Sequence, residues 1–206
     1  MRNRSLVAVA VAVVVVAAGV LVAFHATMGK PSRAHALPVI ADVGGDFELS
    51  RAGGARVYLH DYRGRIVLLA FGYTYCPDVC PTTLSTLKVA MDDLGKAADR
   101  VQVVMVTVDP ERDTAEHLEQ YVRYFHPQFV GLSGTTQEIA QVARQYRVHY
   151  QKGQSLPGGG YQVSHSAHIY LLDTEGRLRT LLSAGARHAE IADGVRQLLQ
   201  EATIAN

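Results

Sequence analysis

Ile66-Val67-Leu68-Leu69-Ala70-Phe71-Gly72-Tyr73-Thr74-Tyr75-Cys76-Pro77-Asp78-Val79-Cys80-Pro81 is the stretch whose reading decides the fold. Its first six residues are all apolar, the length and composition of a strand buried on both faces. Immediately afterwards, Thr82 to Leu94 places Leu84, Leu87, Met91 and Leu94 at helical spacing, with Gly95 as the stop. A central strand therefore runs almost directly into a helix, and both cysteines of the chain lie at the join.

Downstream, Val101 to Val108 is a second β-branched run, ended by Asp109-Pro110. Asp113 stands three residues before Glu116, a pairing that marks a helix start, so a helix is expected from Thr114 to about Phe125 with Asp113 as its cap. Phe129 to Leu132 is a short apolar run. Thr136 to Tyr146 then carries Ile139, Val142, Ala143 and Tyr146 on one helical face, and Gly153 to Gly160 reads as a Gly/Pro-rich loop. Ala167 to Leu172 and Leu178 to Leu182 flank the turn Asp173-Thr174-Glu175-Gly176, and His188 to Ala202 closes the chain as a helix. Upstream, Phe47 to Leu49 and Val57 to Leu59 flank Gly53-Gly54 and predict a hairpin. Strands alternating with helices indicate an α/β domain, and this order contains a thioredoxin-like core preceded by an N-terminal hairpin.

The chain has 206 residues, enough for one domain and an appendage. Its 20 Lys+Arg balance 19 Asp+Glu, so it lacks the basic excess of a nucleic-acid binder. Apolar residues concentrate at the front, where Leu6 to Phe24 carries no charge. At about 1.5 Å per helical residue this run is ~28 Å long, close to the roughly 30 Å of a bilayer core. The expectation is one N-terminal transmembrane helix within an anchor over residues 1–28, a tether over 29–43 and the folded domain over 44–206. Arg2 and Arg4 precede the run and hold the amino terminus on the cytoplasmic side, which exports the domain. Ala34-His35-Ala36 has the form of a signal cleavage site and gives a competing reading as a cleaved signal, which exports the domain equally. Beyond residue 36 the chain carries 16 basic and 19 acidic residues.

Cys76 and Cys80 stand at the carboxyl end of the central strand, where open α/β sheets place their sites. At i and i+4 they share one helical face, and the helix amino terminus is expected to stabilise their thiolates. A stapling disulfide across so short a loop would constrain the unfolded chain little. A redox dithiol fits the location but usually has two intervening residues, not three. A soft metal site needs a third donor. Among nine histidines, His25 and His35 lie in anchor and tether, and His60, His117, His126, His149 and His188 sit singly in turn or surface contexts. His165 and His168 flank the entry to the late strand, near the cysteine loop in such a sheet. An odd separation would send them to opposite faces of a regular strand, and spacing leaves open which is the ligand. Asp109 reads as a turn residue and Arg112 as solvated.

Phe71-Gly72-Tyr73-Thr74-Tyr75-Cys76-Pro77-Asp78-Val79-Cys80-Pro81, Val106-Thr107-Val108-Asp109-Pro110-Glu111-Arg112-Asp113-Thr114 and Val163-Ser164-His165-Ser166 resemble the signatures of the Sco/SenC copper proteins. The resemblance implies that Cys76, Cys80 and His165 bind copper, and His168 falls outside the matched stretch. It implies a copper chaperone that assists metallation of the binuclear copper centre of cytochrome c oxidase, with the copper-bearing oxidase subunit as partner. Other copper chaperones or thioredoxin-like reductants would be further partners. The alternative is a thiol:disulfide oxidoreductase that keeps the partner's cysteines reduced. The location implied is the inner (plasma) membrane, single-pass, with the domain facing the periplasm or cell exterior. Two positions depart from the commonest pattern: Tyr75, often histidine, and Ser164, often aspartate, the second of which bears on how His165 is oriented. A peroxiredoxin-like pattern, by contrast, would have threonine where this chain has Tyr73.

Overall fold

Strands β3 (Ile66–Gly72) and β4 (Val101–Thr107) run in parallel, Ile66 opposite Val101 and Gly72 opposite Thr107. Every residue of both is buried, as required of strands covered on both faces. The computed structural model describes residues 36–155 and 159–204. Around this pair, β5 (Val130–Leu132) adds in parallel to β4. On the other side β8 (His168–Leu172) pairs antiparallel with β3, and β9 (Leu178–Ser183) pairs antiparallel with β8. The sheet order is β5-β4-β3-β8-β9. A separate hairpin of β1 (Glu48–Ser50) and β2 (Arg56–Tyr58) precedes it, where the Gly53-Gly54 signal predicted one.

Four α-helices complete the domain among the described residues: α1 (Val79–Leu94), α2 (Ala115–Phe125), α3 (Thr136–Gln145) and α4 (His188–Ile204). Helices α1 and α4 pack together, burying Leu84, Leu87 and Met91 from one and Ile191, Val195 and Leu198 from the other. Helix α1 starts at Val79 rather than Thr82, so Cys80 belongs to its first turn. The cap of α2 is Thr114, whose hydroxyl accepts from the His117 N–H, and not Asp113. Asp and Thr are both capping residues, and the neighbouring carboxylate is needed inside the protein instead.

The loop expected over Gly153 to Gly160 is shorter than the sequence suggests. Tyr150–Ser155 forms β6 and Tyr161–His165 forms β7, an antiparallel hairpin that stands apart from the main sheet. Its residues 156–158 lie outside the described set. This hairpin ends at His165, while His168 begins β8. The two histidines therefore sit on strands of different sheets, and no continuous strand relates the directions of their side chains.

The anchor expected over residues 1–28 also lies outside the described residues, and among those described no helix is long and apolar enough to cross a membrane. Residues 37–43, within the stretch expected as tether, are tied to the domain. The Leu37 N–H donates to Glu201, its carbonyl accepts from the buried Arg179, and the Ile40 N–H donates to the Leu178 carbonyl. Arg179 itself pairs with Asp173 and Glu201, so its charge is compensated where it is buried.

The central strand sets stability. Leu69 is fully buried between its neighbours in β4 and β8. Leu69→Ala is expected to lower the free energy of unfolding by about 2–5 kcal/mol, measured by urea denaturation; a change within error of zero would contradict this placement of the core.

Candidate metal centre

Three side chains converge where β3 meets α1. The ligand atoms of Cys76, Cys80 and His165 all lie within 4.8 Å of one another. Cys76 sits in the turn after β3, its N–H donating to the Tyr73 carbonyl at 3.2 Å. Cys80, one helical turn later, points its sulfur back at the strand end, and its own N–H approaches the Cys76 Sγ at 3.5 Å. His165 comes from the far end of β7 and brings Nε2 to 3.6 Å from the Cys80 Sγ.

The sequence permits this approach through Gly72, the last residue of β3. A Cβ at that position would lie 2.7 Å from the Cys80 sulfur and 2.8 Å from the Met105 methyl, closer than side-chain atoms come without displacement. The absence of a side chain is what lets the first turn of α1 seat its thiol against the sheet.

Hydrogen bonding fixes the imidazole for ligation. The carbonyl of Ser166 lies 3.1 Å from His165 Nδ1 and can only accept, so the proton is on Nδ1 and the Nε2 lone pair faces the sulfurs. Burial also holds the His165 pKa below its ordinary value, partly opposed by the Ser166 carbonyl. A neutral ring with a free Nε2 is the state a metal requires. Ser164 turns its hydroxyl to the Gln151 carbonyl across the hairpin at 3.3 Å. The orienting partner of His165 in this chain is thus the main chain of the next residue.

The two thiols are unequal. Cys76 is half-buried and Cys80 buried, and burial pushes the Cys80 thiol well above its ordinary range. The stabilisation expected from the helix amino terminus is outweighed at Cys80 by lost hydration. A cation arriving at the pair would reverse that balance, because metal binding displaces the thiol proton.

His168 is exposed and stands outside the ligand cluster. His60 and His188 pair with Asp46 and Asp93 at the surface, the ring of His117 lies beside Tyr75, and His25 and His35 lie outside the described residues. Three supporting groups escaped the sequence reading. Tyr73 presents its ring edge to the His165 ring, centroids 5.9 Å apart, while its hydroxyl accepts from the Val163 N–H at 3.3 Å. Asp113 is wholly buried and accepts from the Thr74 N–H at 3.0 Å, the Thr74 hydroxyl at 2.5 Å and the Thr107 hydroxyl at 2.8 Å. It thereby pins the residues that lead into Cys76. Arg112, expected in solvent, is largely buried and pairs with the buried Asp109 at 2.5 Å. The motif Asp109-Pro110-Glu111-Arg112-Asp113 was visible as a string, but nothing in its spacing reveals which of its charges turn inward.

A sequence profile for the family described as SCO1/SenC matches residues 37–200. The mitochondrial Protein SCO2 homolog of Bos taurus is 40% identical over 170 residues, which cover 82% of this chain and 64% of the bovine protein. The chain thus spans a little under two thirds of the length of that relative. The crystal structure of Arabidopsis thaliana ScoI with copper bound is 38% identical, with a TM-score of 0.71 over 77% of this chain and 99% of that one. The solution structures of the apo Sco1 protein from Thermus thermophilus are 42% identical, with a TM-score of 0.68 over 77% of this chain and 91% of that one. The likeness extends over the mixed α/β sheet and supports the thioredoxin-like arrangement expected from the element order.

Two outcomes follow from the geometry. Nitrogen NMR of the metal-free protein should find His165 neutral with its proton on Nδ1 as pH falls through the ordinary histidine value. Because the folded-state pKa is the lower one, the unfolded chain takes up the proton first, so stability falls as pH drops below about 6.5. His165→Gln should flatten that fall, and an unchanged pH profile would contradict the burial argument. Gly72→Ala should displace Cys80, seen as altered relative alkylation rates of the two thiols; unchanged rates would show that the strand end has room.

Proposed function

Because the chain belongs to the SCO1/SenC family, we propose that it is a copper-binding protein that carries the ion on Cys76, Cys80 and His165 and hands it to the copper-bearing subunit of cytochrome c oxidase. The observation that carries this reading is the convergence of the three ligand atoms within 4.8 Å. Two soft sulfurs and one imidazole suit Cu(I), and the same set accepts Cu(II) when a further donor is added. A structural zinc site would want a fourth protein ligand. Three donors leave one side of the ion accessible, as transfer between proteins requires, since a closed cage would retain its cargo.

The burial pattern suits the same task. Cys80 and His165 meet on the protected side, while Cys76 is the more exposed of the two sulfurs and is positioned to be exchanged first for a ligand of an incoming partner. Membrane attachment by residues 1–28, with the domain on the periplasmic or outer face, would hold the site near the oxidase. The charge-free run Leu6 to Phe24 behind Arg2 and Arg4 supports that location. Further copper chaperones or thioredoxin-like reductants would supply the ion and keep the thiols reduced.

A second reading, a thiol:disulfide oxidoreductase acting on the cysteines of the partner's copper site, is favoured by one observation. An accessible Cys76 beside a buried Cys80 is the arrangement of an attacking and a resolving thiol. The imidazole separates the two readings. His165→Ala should weaken copper binding by well over tenfold in anaerobic competition with a chelator, while both thiols remain titratable and oxidise to a disulfide. Unchanged copper affinity in that variant would remove the carrier reading and leave the oxidoreductase.

A further inference from the structure

The hairpin that delivers His165 belongs to a two-stranded sheet of its own, so something other than the main sheet must hold it against the cysteine loop. Strand β7 alternates: Tyr161, Val163 and His165 are wholly or partly buried, while Gln162 and Ser164 are exposed. The three inward residues lie on one face of one strand. His165 meets the cysteines, and Val163 is buried with its N–H on the Tyr73 hydroxyl. Tyr161, the outer of the three, meets Arg112.

That contact is dense. The Arg112 guanidinium carbon lies 3.7 Å from the Tyr161 ring centroid, and the Lys152 ammonium of β6 lies 4.0 Å from the same ring. The Tyr161 hydroxyl donates to Asp109 Oδ1 at 2.7 Å, while Asp109 Oδ2 accepts from Arg112 Nε at 2.5 Å. Lys152 also reaches Glu111 Oε2 at 2.5 Å, which ties β6 to the same loop. On the other side, Arg112 lies 4.7 Å from the Tyr75 ring and 5.7 Å from the Tyr73 ring, the residues that lead into Cys76. Its Nη2 is buried without a hydrogen-bond partner among the described residues, so that edge of the cation is left to the aromatic rings. One guanidinium therefore touches both the segment that carries a sulfur and the segment that carries the imidazole.

We propose that Arg112, Tyr161 and Asp109 form a latch that closes the β6–β7 hairpin on the cysteine loop and so sets how long His165 stays on the bound ion. They are positioning residues, and none of them is a ligand. The inference rests on the copper reading given above and adds to it a determinant of release. A latch made of one ion pair and stacked cations is strong enough to favour the closed hairpin. It is also weak enough to open without unfolding the sheet, since a cation over an aromatic ring is a modest contact beside the packing of a buried strand pair. When it opens, the ion keeps two sulfurs and loses its nitrogen.

The test compares Tyr161→Leu and the milder Tyr161→Phe, which keeps the ring and loses the bond to Asp109. Both are made in the full chain and again in the His165→Ala background. In the metal-free protein, amide hydrogen exchange at Val163 and His165 should accelerate in Tyr161→Leu while the amides of β3 and β4 do not change. In protein loaded with Cu(I), removal of the ion by a soluble chelator should accelerate about three- to tenfold in Tyr161→Leu, from the size of one such contact, and by less in Tyr161→Phe. In the His165→Ala background neither substitution should accelerate removal further. Equal acceleration with and without His165, or unchanged exchange at Val163 and His165, overturns the latch. If the parent chain takes up no copper, the carrier reading falls instead, and the exchange measurement still decides whether the latch exists. If Tyr161→Leu fails to fold, Tyr161→Phe and Arg112→Lys carry the same comparison.

Discussion

The packing of one sulfur against the end of one strand governs the arrangement described here. Cys80 can occupy the first turn of α1 and still reach the sheet only because Gly72 offers no side chain to meet it. Given that seat, the i and i+4 relation places Cys76 on the same helical face at the open rim. His165 then completes the cluster from the side. The same burial that fixes Cys80 also deprives its thiolate of water and raises its pKa. The apolar setting therefore keeps this sulfur protonated until a cation compensates its charge.

Much of this was legible where apolar pattern and position coincide. The run Ile66 to Phe71, the leucines of α1 and the cysteines between them define strand, helix and site because burial of a whole strand leaves no polar residue to confuse the period. The hairpin of β6 and β7 was not legible for the opposite reason. Five of the six residues of β6 are exposed, and Gln151-Lys152-Gly153-Gln154-Ser155 has the composition of a loop. Pairing with β7, not burial, makes it a strand, and pairing leaves no mark on a single sequence.

Side-chain direction was the other blind spot. Asp113 and Thr114 are adjacent and either could cap a helix; the tertiary need for an acceptor beside Thr74 and Thr107 decides that the carboxylate turns inward. Arg112 reads as a surface charge until the fold brings three tyrosines around it. The choice between His165 and His168 came from the motif, because the chain changes sheets between them. The structure supplies the physical reason for that choice, since only His165 has a carbonyl on Nδ1 and a sulfur before Nε2.

The nitrogen donor stands 85 residues beyond the buried sulfur it faces. A chain emerging amino terminus first thus presents both sulfurs well before the imidazole that faces them exists. The third donor is made with β7, after β3, β4 and β5 but before β8 and β9 complete the sheet. The three-residue cluster therefore depends on a late segment of the chain, and a copy that ends before residue 165 has the sulfur pair alone.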